Sequence, residues 1–369
     1  MPRLLLAALV AALALVAAAC ADEEPEDAAD EPEEAAEDVD DPEDDPDDDA
    51  EDPEDDDAAA VEPGDDWPDP MQLTLTPSSE AGELIDDAQP LAEMLEERLG
   101  VEVEPSVPTD YAGVIVALGS GEADVSGGLG PVQMTQAVDD AGGDLLLQSE
   151  RFGEFVYVSQ WFTNDPDTFC EDEPVEETYE EDGESYTMRF CNGVDEAEGP
   201  GEGPIGAERI AEVEDRALAY VEEGSTGGFL YPALQLLEAD IDPLDGVDEV
   251  FAGGHDNAVI SVYQGDADVG VSFNDAREDV VEQFDDVGEE LVVFAWSDPI
   301  PNDGFAVAPG LPEDFQEAVS DALIDIVGTE EGAEVLNDLY NIDGLTEADP
   351  ADYEAIRDAR DELDDLIEE

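Results

Sequence analysis

Hydrophobic positions change between two spacings along residues 71–162, and this change predicts alternating strands and helices. Met71–Thr76 alternates apolar and polar side chains as a strand does, and leucines recur at helical spacing from Ala81 to Gly100. The predicted strands are 71–76, 101–105, 123–125, 144–148 and 154–162, and the predicted helices are 81–100, 111–118 and about 131–141. This order is typical of an α/β domain with a largely parallel sheet.

Residues 163–204 interrupt the alternation, because they are acidic and rich in glycine and proline, and we interpret them as a surface insertion. The alternation then resumes and continues to the C-terminus. Its predicted helices are 207–213, 228–238, 256–264, 276–284, 312–327, 331–340 and 351–368, and its strands are 217–221, 249–252, 267–272, 290–296 and 305–308. We predict two α/β lobes, 70–158 plus 297–369 and 159–296, with a cleft between them.

The N-terminus predicts export from the cytoplasm. An apolar run from Leu4 to Ala19 follows Arg3, is too short to span a bilayer, and ends in small residues before Cys20. Residues 1–20 therefore form a signal peptide, and the junction resembles a bacterial lipobox in which Cys20 becomes the lipidated first residue, although Ala17 stands where leucine is usual. The alternative is an ordinary secretory signal with an incidental cysteine. Lipidation would anchor an extracytoplasmic protein without a transmembrane helix.

Charge dominates the composition. The 369 residues include 107 Asp and Glu against 9 basic residues, for a net charge of −98. Residues 22–66 hold 28 acids and no basic residue, so we predict a disordered tether over 21–69. Residues 70–369 still carry 78 acids against 8 arginines. Such self-repulsion is tolerable where salt screens it, so we hypothesise a high-salt habitat and exclude nucleic acid as a partner.

Two further cysteines, Cys170 and Cys191, lie in the predicted insertion. Two cysteines in an exported chain indicate one disulfide, and the alternative is two free thiols. A metal site would require a C-x-x-C motif or a histidine nearby, and the sequence has neither. We predict no metal and no cofactor.

The strongest chemical signal is the segment Gly224–Gly228, which contains Ser225, Thr226 and Gly227 between a strand and an apolar helix. Free backbone N–H groups at a helix start, with two hydroxyls, can bind an anion. The alternative is a simple N-cap. The lysine of a nucleotide-binding loop is missing, so ATP binding is not supported.

Several other segments share an order and spacing with one transporter family. They are Thr109–Ala112, Gly130–Pro131, Ser225–Leu230, Phe251–Ala258, Ser272–Arg277, Ile300–Asp303 and Asp352–Arg357. From about 71 to 360, apart from 163–204, the chain resembles the phosphate/phosphite/phosphonate solute-binding proteins of ABC transporters. The resemblance implies a type II periplasmic-binding-protein-like fold, in which two lobes, each a mixed, mostly parallel sheet flanked by helices, enclose the ligand in the cleft between them.

The resemblance also implies the ligand-binding residues and the partners. The matching positions are Tyr111, Tyr157, Ser225, Thr226, Gly227, His255, Asp275 and Asp303. Gly227 replaces a serine that the family commonly has, and Met134 replaces an aromatic residue. The two aspartates would accept a hydrogen bond from a P–OH group or an ammonium, which sulfate does not offer. The implied protein is a monomeric binding lipoprotein that delivers a phosphorus oxyanion to ABC permease subunits.

Two other classes of function stay open at this point. An acyl- or phosphoryl-transfer enzyme would use Ser225, His255 and Asp275, although no G-x-S-x-G motif surrounds Ser225. An acidic, cation-binding surface lipoprotein would use the many carboxylates, although no calcium-loop spacing occurs.

Overall fold

The computed structural model describes residues 61–79, 81–181, 184–194 and 203–367. The predicted signal peptide with Cys20, and the predicted tether up to residue 60, lie outside these ranges. Within them, no helix is both long enough and apolar enough to cross a membrane.

Strands and helices alternate along the described chain, largely as predicted. The strands are β1 (Met71–Leu75), β2 (Val103–Ser106), β3 (Val125–Leu129), β4 (Asp144–Glu150), β5 (Val156–Tyr157), β6 (Ser159–Thr163), β7 (Val175–Glu181), β8 (Glu184–Phe190), β9 (Ala217–Tyr220), β10 (Asp248–Phe251), β11 (Val269–Phe273), β12 (Val292–Trp296), β13 (Ile300–Pro301), β14 (Gly304–Val307) and β15 (Gly344–Glu347).

The helices cover both sheets. They are α1 (Ala81–Leu99), α2 (Tyr111–Ser120), α3 (Pro131–Asp139), α4 (Pro166–Phe169), α5 (Tyr231–Glu238), α6 (His255–Gln264), α7 (Val287–Glu290), α8 (Glu313–Val327), α9 (Glu330–Tyr340) and α10 (Glu354–Ile367). Shorter turns are the 3-10 segments Ala207–Val213, Glu278–Val280 and Pro350–Tyr353, and a π-turn at Thr226–Leu230.

The first lobe is built on a sheet in the order β15-β4-β14-β3-β1-β2. The leucines that predicted α1 are buried in its core, together with residues of β1 and α8. Their spacing of four or seven residues places them on one helix face, and burying that face stabilises the helix on the sheet. The second lobe is built on a sheet in the order β10-β9-β11-β6-β12-β8-β7.

Both sheets are mixed, with parallel and antiparallel pairs, which agrees with the mixed sheets of the predicted fold class. In the first sheet, β1 is parallel to β2 and β3, but β14 runs antiparallel between β3 and β4. In the second, β9 is parallel to β10 and β11, but β6 runs antiparallel between β11 and β12. The reason is the connection between the lobes. Because β6 and β14 enter their sheets from the opposite lobe, each runs against its neighbours.

The segment predicted as a surface insertion is part of the second sheet. β7 and β8 form a hairpin, and β8 pairs in parallel with β12. Met188 and Phe190 of β8 are buried in the core of this lobe. A disulfide joins Cys170 to Cys191 across a Cα–Cα distance of 5.1 Å, which confirms that prediction. Strand β8 of the insertion therefore extends the hydrophobic core, whereas β7 forms the exposed edge of the sheet.

Two other local predictions were wrong. The predicted helix at 276–284 is a short 3-10 turn with irregular flanks, because the guanidinium of Arg277 turns inward and donates to the carbonyl oxygens of Arg189 and Leu291. The predicted tether does not extend to residue 69. Trp67 is buried against Phe315 of α8, with ring centroids 5.5 Å apart, so the packed domain already includes this residue.

The chain crosses between the lobes at two adjacent segments. β5 and β13 pair antiparallel there, with Tyr157 opposite Ile300. Asn302 ties the crossing together: its Nδ2 donates to the carbonyl oxygens of Ser149 and Glu154, and its own carbonyl accepts from the Tyr353 hydroxyl at 2.9 Å. These bonds fix the backbone of the crossing segments, which carry three side chains of the candidate site: Arg151, Tyr157 and Asp303.

Candidate functional site

A cavity of about 720 Å³ lies between the two lobes. Its buried inner end is lined by side chains from both lobes and from the crossing segments. These are Tyr111, Gln133, Arg151, Tyr157, Ser225, Thr226, His255 and Asp303. Of the eight positions that the sequence predicted for ligand binding, the structure brings six together here.

The segment predicted as an anion cradle begins a helix in an unusual way. The chain forms the π-turn Thr226–Leu230 before α5 starts, and Ser225 caps it by accepting a 3.0 Å hydrogen bond from the backbone N–H of Gly228. The N-cap alternative therefore applies to Ser225. Ser225 and Thr226 also line the cavity, so the capping role and a ligand role occur at the same place.

Gly227 does not line the cavity, but its lack of a side chain shapes the site. A Cβ at this position would lie 2.9 Å from the ring of Tyr157. The backbone carbonyl oxygen of Gly227 accepts a hydrogen bond from the buried Ser159 hydroxyl. Gly227 thus allows Tyr157 to pack closely against the cradle, and the serine that the family commonly has would not fit here without a shift.

Tyr111 and Tyr157 keep their protons. Burial is the main cause that raises the pKa of Tyr111, and the carboxylate of Glu222 adds to it. Burial also raises the pKa of Tyr157, with a further contribution from Asp303. Both hydroxyls therefore remain available as hydrogen-bond donors to an anion at any physiological pH.

His255 is a neutral ring at the start of α6. Its Nδ1 lies 2.7 Å from the Ser272 hydroxyl, and its ring packs against Phe273 at a centroid distance of 4.8 Å. Burial, with a further contribution from the positive charge of Arg151, lowers the pKa of His255 to about 3. The imidazole can therefore supply one N–H donor but no positive charge.

Arg151 supplies the positive charge, and the sequence did not single it out. It lies in the tight turn between β4 and β5, and its Nη2 donates to Asp303 Oδ2 at 3.0 Å. Burial raises the pKa of Asp303, whereas the Arg151 charge opposes that shift. The other oxygen, Oδ1, is buried and has no hydrogen-bond partner among the described residues. One carboxylate oxygen is thus paired, and the second remains an acceptor.

Asp275 is not where the sequence predicted. It does not line the cavity, because its carboxylate binds the guanidinium of Arg277 through both oxygens and also accepts from Gln160 Nε2 at 2.8 Å. The pairing of residues two positions apart, Asp275 and Arg277, was the sequence signal that could have predicted this. The alternative of an enzyme required Ser225, His255 and Asp275 to act together. The structure does not arrange them so, since His255 bonds to Ser272 and Asp275 is paired with Arg277.

The mouth of the cavity is acidic. It is lined by Asp87, Asp256, Asp279, Glu282 and Asp338, which are exposed or half-buried, whereas the inner end is more enclosed. The side chain of Asp279 is exposed to the cleft, but protein atoms surround its carboxyl group closely. This surrounding protein removes part of its hydration and raises its pKa to about 7. The described residues contain no group of three or more His, Cys, Asp or Glu side chains placed to hold a metal ion.

The lobes touch across the cavity through hydrogen bonds near the cradle. Val132 N–H donates to Thr226 Oγ1 at 2.9 Å, and the N–H of Tyr111 donates to the Glu222 carboxylate at 3.2 Å. On the other side, the N–H of His255 donates to the carbonyl oxygen of Ser78 at 2.9 Å. The structure therefore has the lobes closed around an enclosed site with N–H and O–H donors, one guanidinium and one unpaired carboxylate oxygen.

The sequence matches a known family. Residues 73–353 match the model of the family described as "ABC transporter, phosphonate, periplasmic substrate-binding protein". The chain belongs to this family. The Phosphate-import protein PhnD of Mycolicibacterium smegmatis (strain ATCC 700084 / mc(2)155) is a relative, 24% identical over 261 residues that cover 66% of this chain and 68% of that protein.

Two solved structures of binding proteins share the fold. PhnD1 from Prochlorococcus marinus (MIT 9301), in complex with methylphosphonate, has a TM-score of 0.65 at 15% identity, covering 81% of this chain and 99% of that one. A binding protein component of an ABC phosphonate transporter from Pseudomonas aeruginosa has a TM-score of 0.63 at 17% identity, covering 80% and 87%.

Family membership confirms the predicted two-lobed, type II binding-protein fold and the predicted class of function. The protein is an extracytoplasmic substrate-binding component of an ABC transporter of the phosphonate family, and it belongs with transport proteins.

Proposed function

We propose that this protein captures a phosphorus oxyanion, such as phosphate, phosphite or a simple phosphonate, in the cavity between its lobes and delivers it to an ABC permease. Tyr111, Tyr157, Ser225, Thr226 and His255 act as donors to the anion, Gly227 provides the space for Tyr157, and Asp303 accepts a hydrogen bond from a P–OH group of the anion. The proposed lobe limits are 70–158 plus 297–369 and 159–296.

The observation that carries this proposal is the combination of donors with one unpaired acceptor at the inner end. Enclosed donors bind an oxyanion through short-range hydrogen bonds, which salt does not screen as it screens distant charges. The buried Oδ1 of Asp303 costs free energy while it lacks a partner, and a P–OH group would supply that partner. A fully deprotonated sulfate has no such proton.

Calorimetric titration in molar KCl tests the proposal with phosphate, phosphite, methylphosphonate, 2-aminoethylphosphonate and sulfate. We expect at least one phosphorus ligand to bind one-to-one and sulfate to bind more weakly than phosphate. Tyr111→Phe removes one donor of the site and should weaken binding, whereas Tyr263→Phe removes an exposed hydroxyl that bonds to Asp286 and should not. A protein that binds none of the phosphorus ligands contradicts the proposal.

We further propose that the mature chain is a monomer anchored to the cell membrane by a lipid on Cys20. The support is the lipobox-like junction together with an acidic segment long enough to act as a spacer. Cys20→Ser should release the protein from the membrane fraction into the medium. Retention of the Cys20→Ser protein in the membrane fraction contradicts the anchor, and binding titrations with the released protein keep the two proposals separate.

A further inference from the structure

Among the described residues that line the cavity, a single side chain supplies positive charge. Among the residues that line it, Arg151 is the sole arginine, lysine being absent from the whole sequence, and His255 is a neutral ring. The guanidinium is held in place on two sides. It donates to Asp303 at 3.0 Å, and it lies 5.9 Å from the centroid of the Phe273 ring.

Arg151 belongs to the inner end of the cavity and not to the mouth. Its side chain is 14% exposed and that of Asp303 is 9% exposed. The ring of Phe273 that it contacts also packs against His255, so the guanidinium and the imidazole lie on one aromatic side chain. A phosphorus oxyanion bound at this inner end, as the proposed function has it, would place the groups attached to its phosphorus near the guanidinium.

We propose that Arg151 makes the site select phosphorus oxyanions without an amine over aminoalkylphosphonates whose ammonium lies one carbon from phosphorus. This inference rests on the proposed function. The physical reason is that Asp303, the carboxylate at the inner end, is already paired with a guanidinium. An ammonium placed there could reach the unpaired Oδ1 of Asp303, but it would meet the like charge of Arg151 at short range, and the charge of the carboxylate is already offset by that guanidinium. A hydroxyl or a methyl group at the same place meets no such repulsion.

The acidic mouth does not reverse this preference. Its carboxylates would attract an ammonium, but four of the five are exposed. Salt screens interactions between exposed charges, with a Debye length of about 3 Å at 1 M, and screens a half-buried contact much less. The nearest charge, that of Arg151, should therefore decide whether an amine is accepted.

The test compares two ligands of equal size, hydroxymethylphosphonate and aminomethylphosphonate, by calorimetry in molar KCl. We expect the wild type to bind the hydroxyl compound at least about tenfold more tightly. The phosphonate groups of the two ligands can differ in protonation, but this difference is the same for every variant. The decisive quantity is therefore the change, from one variant to another, in the ratio of the affinities for the two ligands. Arg151→Gln should reduce this ratio about tenfold or more, since it removes the repulsion and frees Asp303 for the ammonium.

Three further variants complete the experiment. Arg151→Lys keeps the charge and should keep the preference. Arg209→Gln removes an arginine that pairs with Glu171 away from the cavity lining and should leave the ratio unchanged. If Arg151→Gln does not fold because it leaves Asp303 buried and unpaired, the double variant Arg151→Gln/Asp303→Asn removes both charges and should bind the two ligands within about threefold of each other.

The possible failures are distinguishable. If the wild type binds neither compound and no other phosphorus ligand, the proposed function fails and this inference falls with it. If the wild type binds both compounds with similar affinity, or if Arg151→Gln leaves the ratio unchanged, the phosphorus site stands and the role of Arg151 in selection is wrong.

Discussion

The backbone N–H of Val132 donates a 2.9 Å hydrogen bond to Oγ1 of Thr226, and both groups are buried. Val132 lies in the first turn of α3 in the first lobe, whereas Thr226 opens the π-turn of the second lobe. Beside it, Gln133 Nε2 donates to the carbonyl oxygen of Gly224 at 2.8 Å. The predicted anion cradle is thus also a contact between the lobes, so a change in the cradle should affect closure as well as ligand contacts.

Thr226→Val keeps the shape of the side chain but removes the acceptor for Val132. We expect every phosphorus ligand to bind more weakly, by about 1–3 kcal/mol, the cost of leaving a buried donor unsatisfied in the closed form. Calorimetry with phosphate and methylphosphonate measures the change. Thr178→Val, on the exposed strand β7, is the control and should bind as the wild type does. Equal affinities of the two variants would show that this bond does not assist binding.

The cradle could be predicted from sequence because its signal is local: Ser225, Thr226 and Gly227 are consecutive, and their position before an apolar helix is visible in the chain. Arg151 could not be found in the same way. It is one arginine in a turn, and its meeting with Asp303, 152 residues away, depends on β14 pairing beside β4 and on the bonds that Asn302 makes at the crossing. Long-range pairing of this kind leaves no local pattern.

The hairpin of β7 and β8 shows a different kind of limit. Tyr186, Met188 and Phe190 alternate as a strand should, so the pattern was present. The acidic composition of the surrounding chain hid it, because acidity normally indicates a solvated loop. In a protein with 78 acids in residues 70–369, however, acidic residues also occupy the outward face of strands, and composition no longer separates a loop from a sheet edge.

Asp279 should make stability depend on pH. Burial raises its pKa to about 7 from 3.8, against the opposing effects of the Arg151 charge and a hydrogen bond from Asn341. The folded state therefore holds this proton more tightly than the unfolded chain does. The contribution to stability is fully present below about pH 3.8 and is lost as the pH rises to about 7.

Asp279→Asn should remove this dependence. Its melting temperature should match that of the wild type near pH 4 and exceed it increasingly up to about pH 7, with a constant difference above. The gain should be smaller than the full shift implies, because the carboxyl is accessible to solvent. Asp321→Asn on α8, outside the cavity lining, is the control. A difference between Asp279→Asn and wild type that is the same at pH 4 and pH 8 would contradict this assignment.

The disulfide between Cys170 and Cys191 should contribute about 3 kcal/mol to the free energy of unfolding, since it closes a loop in the unfolded chain. Urea unfolding with and without reductant measures this contribution, and reduction should lower the midpoint. In unfolded, unreduced protein, mass spectrometry after alkylation should find no label on either cysteine. Label on both would mean that the bond does not form in the native protein.

Salt should stabilise the fold. Residues 70–369 carry 78 acids against 8 arginines, and some of those arginines are engaged in ion pairs such as Arg277 with Asp275. Raising KCl from about 0.1 M to 1 M shortens the Debye length from about 10 Å to 3 Å and removes most of the repulsion between exposed carboxylates. The melting temperature should therefore rise over this range. A melting temperature that stays flat or falls would contradict the high-salt hypothesis.

Asp303 should distinguish phosphate from sulfate. Its Oδ2 is paired with Arg151, and its buried Oδ1 lacks a hydrogen-bond partner in the part of the chain that the structure describes. Protonated phosphate can donate to Oδ1, whereas sulfate would bring a second acceptor against it. Asp303→Asn keeps the volume, removes the charge, and can rotate its amide to donate to an oxyanion. It should therefore weaken phosphate binding and relax the exclusion of sulfate.

We expect the phosphate-to-sulfate affinity ratio of Asp303→Asn to fall by at least about tenfold, which corresponds to about 1.4 kcal/mol. Titrations with both anions, side by side in the same salt, measure the ratio. Asp298→Asn, an exposed carboxylate near the same crossing and outside the cavity lining, should leave it unchanged. If Asp303→Asn leaves the phosphate-to-sulfate affinity ratio equal to that of the wild type, for example by weakening the binding of both anions equally, Asp303 supports the shape of the cavity without selecting a protonated anion. The reason is that an acceptor that selects a protonated anion must change the selectivity when it becomes an amide.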